Sequence, residues 1–129
     1  MTNKKAFITA LSLVLTVAVV GGIFLFSGGE AKILSTQSGN VIIRMGEDAY
    51  TPNQVKIKVG TKITFINETN TARWPASDLH PSHGIYPEFD PKRPIPKGET
   101  WEFTFDKIGE WGFHDHLSPY ITGKIVVVK

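Results

Sequence analysis

Four histidines are the residues of this chain best suited to chemistry, and they occur as two close pairs. His80 and His83 are separated by two residues, and His114 and His116 by one. The chain has no cysteine, so it cannot offer a thiolate, and imidazole is the main ligand that it can offer a transition metal. Neutral imidazole binds copper, zinc, iron and nickel, and the affinity order favours Cu(II). We therefore predict a metal site formed by His80, His83, His114 and His116, with copper favoured over zinc.

The second histidine pair belongs to a segment with the alternation of a β-strand, residues 110–116. Side chains at positions i and i+2 of a strand project to the same side, so both imidazoles of this pair can chelate one ion. Trp111, Phe113 and Asp115 then face the opposite side, toward the core. The first pair lies in a proline-rich stretch without periodicity, residues 77–97, which we expect to fold over the outer face of the strand.

The elements that must position these pairs are predicted to be strands. Polar and apolar residues alternate, or β-branched and aromatic residues cluster, in residues 41–45, 54–59, 61–67, 101–105 and 124–128. No segment after residue 30 has a helical period. The sequence therefore predicts an all-β sandwich.

The N-terminal part has the composition of a membrane segment. Residues 6–26 carry no formal charge and would span roughly 30 Å as a helix, which matches a bilayer core. Lys4 and Lys5 precede it, so the domain is expected on the extracytoplasmic side, periplasmic or extracellular. An uncleaved transmembrane anchor is favoured over a signal peptide because no clean Ala-x-Ala site follows. The predicted order is cytoplasmic tail, anchor or signal peptide, linker and domain, over residues 1–5, 6–26, 27–40 and 41–129.

The charge distribution argues against a nucleic-acid partner. Once Lys4 and Lys5 are set aside, the remaining 12 basic residues balance the 12 acidic ones, and no basic stripe is present. The chain lacks the glycine-rich motifs of phosphate and dinucleotide binding. We expect a metal ion as the ligand, a membrane contact through the N-terminal segment, and no nucleic acid.

The sequence resembles the cupredoxin family over most of residues 41–129. The resemblance is carried by the strand–turn–strand segment 55–67 and by the C-terminal segments 109–115 and 119–127, which are similar to amicyanin and plastocyanin. It implies a Greek-key β-sandwich, copper binding and electron transfer.

The resemblance also implies that the family's copper ligands are replaced. The first His falls at Arg73, the Cys at Asp115, the second His at Ser118 and the Met at Ile121. A blue copper centre depends on a Cys thiolate, so this chain cannot form one. We predict an Arg73–Asp115 ion pair in its place, with two independent solvated charges as the alternative.

Multicopper oxidases, which are built from cupredoxin domains, provide a second resemblance. Their His-Cys-His motif is similar to His114-Asp115-His116, and their His-Pro-x-His motif is similar to the segment from His80 to His83. A three-copper cluster needs about twice the four histidines of this chain, which argues against oxidase chemistry by one chain.

Several functions remain open at this stage. Copper handling or delivery is favoured, and the alternatives are electron transfer through a non-blue copper, a small copper metalloenzyme, and a metal-free interaction module. No catalytic residue is assigned. Glu88 and Asp90 are interpreted as solvated loop charges, with orientation of an imidazole as the alternative.

Overall fold

The structure is a computed structural model that describes residues 34–129. Across this range the chain forms nine strands and no helix; six of the strands lie on segments that the sequence predicted, and three short ones were not predicted. The strands are β1 (Thr36–Gln37), β2 (Val41–Met45), β3 (Tyr50–Thr51), β4 (Gln54–Lys58), β5 (Thr61–Asn67), β6 (Pro75–Ser77), β7 (Thr100–Phe105), β8 (Gly109–Asp115) and β9 (Ser118–Val128).

The strands form two sheets. One has the order β1-β4-β9-β8-β6 and the other β3-β2-β5-β7. The chain passes from the first sheet to the second after β4, where Val59 N donates to Val128 O at 2.7 Å and Gly60 N donates to Phe105 O at 2.7 Å. Gly60 has φ 85°, a left-handed conformation that glycine adopts without a Cβ penalty.

The apolar side chains of the alternating strands meet between the sheets. In β5, Ile63 and Phe65 are fully buried while Thr64 between them is partly exposed. Phe113 of β8 lies in the same core, so the outward direction predicted for His114 is correct. This shared core confirms the β-sandwich.

The connection from β6 to β7 is more ordered than its lack of periodicity suggested. Tyr86, Phe89 and Ile95 are buried in the core, at 1%, 0% and 0% exposure. Ser77 N donates to Phe89 O at 2.9 Å, and Ile95 forms an isolated bridge with Arg73. The loop is therefore held to the sandwich at several points, because three large side chains gain from leaving water.

The predicted transmembrane segment, residues 6–26, lies outside the described residues. Within residues 34–129, no helix has the length and apolar character needed to cross a membrane. Strand β1 lies inside the segment that was assigned to the linker, and it pairs in parallel with β4.

Candidate metal centre

The two histidine pairs come together at one end of β8. One ring nitrogen from each of His80, His83, His114 and His116 lies within 4.8 Å of the others. His83 Nε2 is 2.9 Å from His116 Nδ1, and His80 Nδ1 is 3.3 Å from His114 Nε2. Nitrogens that bind one ion at about 2.0–2.1 Å lie at most about 4.2 Å apart, so only a small contraction is required. The donor set fits a single transition-metal ion.

The local backbone differs from the prediction at His116. Strand β8 ends at Asp115, with a register irregularity between His114 and Asp115, and His116 lies in the following turn. His116 N donates to Trp74 O at 2.8 Å, which fixes the turn against the residues before β6. The i, i+2 argument was therefore incomplete, since a turn rather than a regular strand aims the second imidazole.

The loop tip presents the other two imidazoles. His83 has φ 54°, and its N–H donates to Leu79 O at 2.7 Å. A non-glycine residue in the left-handed region costs of order 1–3 kcal/mol and persists only where its surroundings impose it. Here the imposed turn directs His83 inward at 5% exposure, while His80 remains exposed.

Asp90 orients the His83 ring and is not the solvated loop charge that we expected. Its Oδ2 accepts from His83 Nδ1 at 2.6 Å, and its Oδ1 accepts from Trp74 Nε1 at 2.8 Å. Burial raises the pKa of Asp90, but hydrogen bonds from the Lys92 backbone and ammonium, from His83 and from Trp74 outweigh it and hold the pKa well below its usual range. The ionised carboxylate fixes the proton on Nδ1 and leaves Nε2 free for a metal.

The imidazoles also affect one another. Burial lowers the pKa of His116, and the nearby His83, His80 and His114 lower it further through like charge. The ring of Trp74 lies 4.7 Å from the His116 ring and closes one side of the cluster. His116 is therefore biased toward the neutral form that binds metal.

The positions of the family's copper ligands hold a buried ion pair. Arg73 Nη1 donates to Asp115 Oδ2 at 3.3 Å and to Ser118 Oγ at 3.4 Å, and the Arg73 and Asp115 side chains are 6% and 0% exposed. Asp115 Oδ1 also accepts from the N–H groups of Trp74 at 3.2 Å and Leu117 at 2.9 Å. The predicted pair is confirmed, and the alternative of two solvated charges is wrong. These residues do not fit a type 1 copper.

The fold and the sequence place the chain in a known family. The model of the cupredoxin-like domain matches residues 15–127, and the chain belongs to that family. Among curated proteins, amicyanin from Paracoccus denitrificans is 27% identical over 90 residues, which cover 69% of this chain and 66% of amicyanin. The match thus spans just under two thirds of that relative.

Solved structures with the same fold include two kinds of copper protein. A Cu-containing nitrite reductase from Thermus scotoductus SA-01 matches with a TM-score of 0.60 and 25% identity, over 72% of this chain but 23% of the reductase chain. An oxidised amicyanin mutant matches with a TM-score of 0.61 and 22% identity, over 71% of this chain and 85% of amicyanin.

Sequence reasoning missed two residues beside the cluster. Asp78 Oδ1 accepts from His114 Nδ1 at 3.0 Å, and Trp74 contacts both His116 and Asp90. Neither stands at a motif position. Their roles depend on how the loop packs on β8, which local periodicity does not report.

Proposed function

We propose that this chain is an exported, membrane-tethered cupredoxin-like protein that binds copper through His80, His83, His114 and His116, for handling or delivery of the ion. The observation that carries the proposal is the convergence of four ring nitrogens within 4.8 Å. Imidazole donors without thiolate suit Cu(II), the most tightly bound ion of the first-row divalent series. The membership in the cupredoxin-like family supports the same metal, since the matched relatives include copper proteins.

The unequal burial of the ligands supports a handling role, in which copper is cargo. His80 is exposed at the loop tip, whereas His114 is 2% exposed beneath it. Farther along, the loop is anchored by Tyr86 and Phe89 in the core. An exposed ligand at the tip can leave the ion and be replaced by a donor from an acceptor, while the buried ligands still hold the ion.

Electron transfer is the second candidate. It is favoured by the amicyanin relatives, whose structures include a reduced Cu(I) form and an oxidised form. Four nitrogen donors favour Cu(II), and the two oxidation states prefer different geometries, which opposes rapid cycling. Voltammetry separates the candidates, because an electron carrier gives a reversible wave at moderate potential and a handling protein does not.

Copper is expected to stabilise the fold strongly. An ion that binds only the native state adds about 2.7 kcal/mol at 100 times its Kd, which raises the Tm of a domain of this size by about 10–20 °C. Thermal unfolding followed by circular dichroism, with Cu(II) and with Zn(II), measures the effect. If neither Cu(II) nor Zn(II) changes the Tm, the metal-binding functions are excluded and only the metal-free interaction module is left.

Copper affinity is expected to fall on acidification. Each imidazole must lose its proton to bind, and an ordinary histidine has a pKa of about 6.5. Because the pKa of His116 is lowered, protons compete at this residue only below that value. Affinity should therefore be nearly constant above about pH 7 and decline below about pH 6. Competition with a chelator between pH 7.5 and 5 tests this. A flat profile would point to carboxylate ligands.

The proposed location rests on the uncharged segment 6–26 and on Lys4 and Lys5 before it. If the proposal is correct, protease added on the extracytoplasmic side of the membrane digests the domain of the full-length chain, and the domain stays in the membrane fraction. Protection in intact cells, with digestion by the same protease after the membrane is lysed, would place the domain in the cytoplasm and remove the argument for export.

A further inference from the structure

We infer that Asp78 is a positioning residue that orients the His114 imidazole. We also infer that the absence of a side chain at Gly112 leaves the space that the Asp78 carboxylate occupies. This inference rests on the proposed copper function and adds to it a ligand-orienting contact made across the loop and β8. Its starting point is the bond from His114 Nδ1 to Asp78 Oδ1 at 3.0 Å. A carboxylate can only accept, so Nδ1 carries the proton and the lone pair is on Nε2. That nitrogen points to His80 and the centre of the cluster.

The backbone and a missing side chain hold Asp78 in this place. Asp78 N donates to Gly112 O at 3.1 Å, and Asp78 O accepts from Ile85 N at 2.8 Å. A Cβ at position 112 would overlap Asp78 Oδ2 and lie 3.4 Å from its Cγ. Glycine inside a strand is often found where another group approaches closely. Gly112 and His114 are two residues apart on β8, so the space above Gly112 brings the carboxylate beside the imidazole.

Asp78 and Asp90 thus bond to different rings, Asp78 to His114 and Asp90 to His83. Asp90 is 4% exposed and is also bound to Lys92, whereas Asp78 is 39% exposed and has no cationic partner other than His114 among residues 34–129. Asp78 therefore supplies a negative charge that is not already compensated by a lysine. That charge favours a doubly charged ion over a singly charged one at the same four nitrogens.

The test is a set of variants titrated with Cu(II) and, under reducing conditions, with Cu(I). Asp78→Ala is expected to weaken Cu(II) binding about 10–100-fold, as loss of a ligand-orienting partner does. Asp78→Asn keeps an oxygen that accepts from Nδ1, so it should retain most of the orientation but reduce the preference for Cu(II) over Cu(I). Gly112→Ala should weaken Cu(II) binding in the same direction as Asp78→Ala but by less, because the methyl group forces the flexible Asp78 carboxylate to move from its place without removing it.

The decisive result is the double variant. In the Asp78→Ala background the overlap is gone, so Gly112→Ala should cause no further loss of affinity. Full additivity of the two changes, or an affinity of Asp78→Ala within about twofold of the original protein, would overturn the inference. Glu110→Gln is the matched control. It removes from β8 a carboxylate that is paired with Lys124, and it should leave the copper affinity unchanged.

A metal-free measurement separates this inference from the proposed function. The ¹⁵N shifts of the His114 ring report its tautomer, which should be Nδ1–H in the original protein and in Asp78→Asn, and mixed in Asp78→Ala and Gly112→Ala. If the original protein binds no copper, the proposed function fails while the tautomer still decides the role of Asp78. If copper binds and the tautomer is the same in all variants, only the inference fails.

Discussion

Replacing His114 and His116 together by alanine is expected to abolish tight copper binding. The change removes two of the four converging nitrogens. Removing a group that merely orients a ligand lowers metal affinity about 10–100-fold, so the loss of affinity here should be larger. The fold should persist in metal-free buffer, because neither imidazole belongs to the core and the core residue Phe113, next to His114, is untouched. Isothermal titration and metal analysis of the purified variant measure the loss.

A matched double-alanine variant controls for nonspecific effects. Lys62 and Glu102 form an exposed pair on β5 and β7, in the other sheet, and their replacement should leave copper binding unchanged. Unaltered stoichiometry and affinity in the histidine variant would show that the ion binds elsewhere. Unfolding of the metal-free histidine variant would show that these side chains support the fold.

Arg73→Met is expected to destabilise the metal-free domain by about 3–5 kcal/mol, the usual cost of removing one partner of a buried ion pair. Asp115, fully buried, would keep two backbone donors but lose its guanidinium. Denaturant unfolding followed by tryptophan fluorescence measures the change. Adding Asp115→Asn should recover part of the loss, because an amide oxygen still accepts from both N–H groups without a buried charge.

The same substitution at an exposed pair provides the comparison. Arg44 pairs with Glu68, and the two side chains are 54% and 46% exposed, so Arg44→Met should cost less than about 1 kcal/mol. Equal effects of Arg73→Met and Arg44→Met would mean that burial does not make the Arg73–Asp115 pair important. The Arg73–Asp115 pair would then be a passive replacement of the family's metal site.

The strands were predictable because their signal is local. The β-rich run 41–45 and the alternation in residues 61–67 match the bounds of β2 and β5. In β5 the alternating Ile63 and Phe65 face the core, whereas in β2 the apolar Ile42 is exposed. The chemistry of the site was also local. Two histidine pairs and the absence of cysteine predict an imidazole metal site, and the family resemblance places Arg73 and Asp115 together.

The amino-acid sequence by itself determined the six longer strands, the donor atoms and the loss of the thiolate site. Only the tertiary structure decided that the donors converge. His80 lies in a loop without periodicity, and only the fold of that loop brings its ring beside His114 on β8. That loop is positioned by Tyr86 and Phe89, which enter the core, and its carboxylates bond to His83 within the loop and to His114 on β8. Such contacts are non-local, so burial and hydrogen bonding across the fold, rather than the order of neighbouring residues, set the geometry of the metal centre.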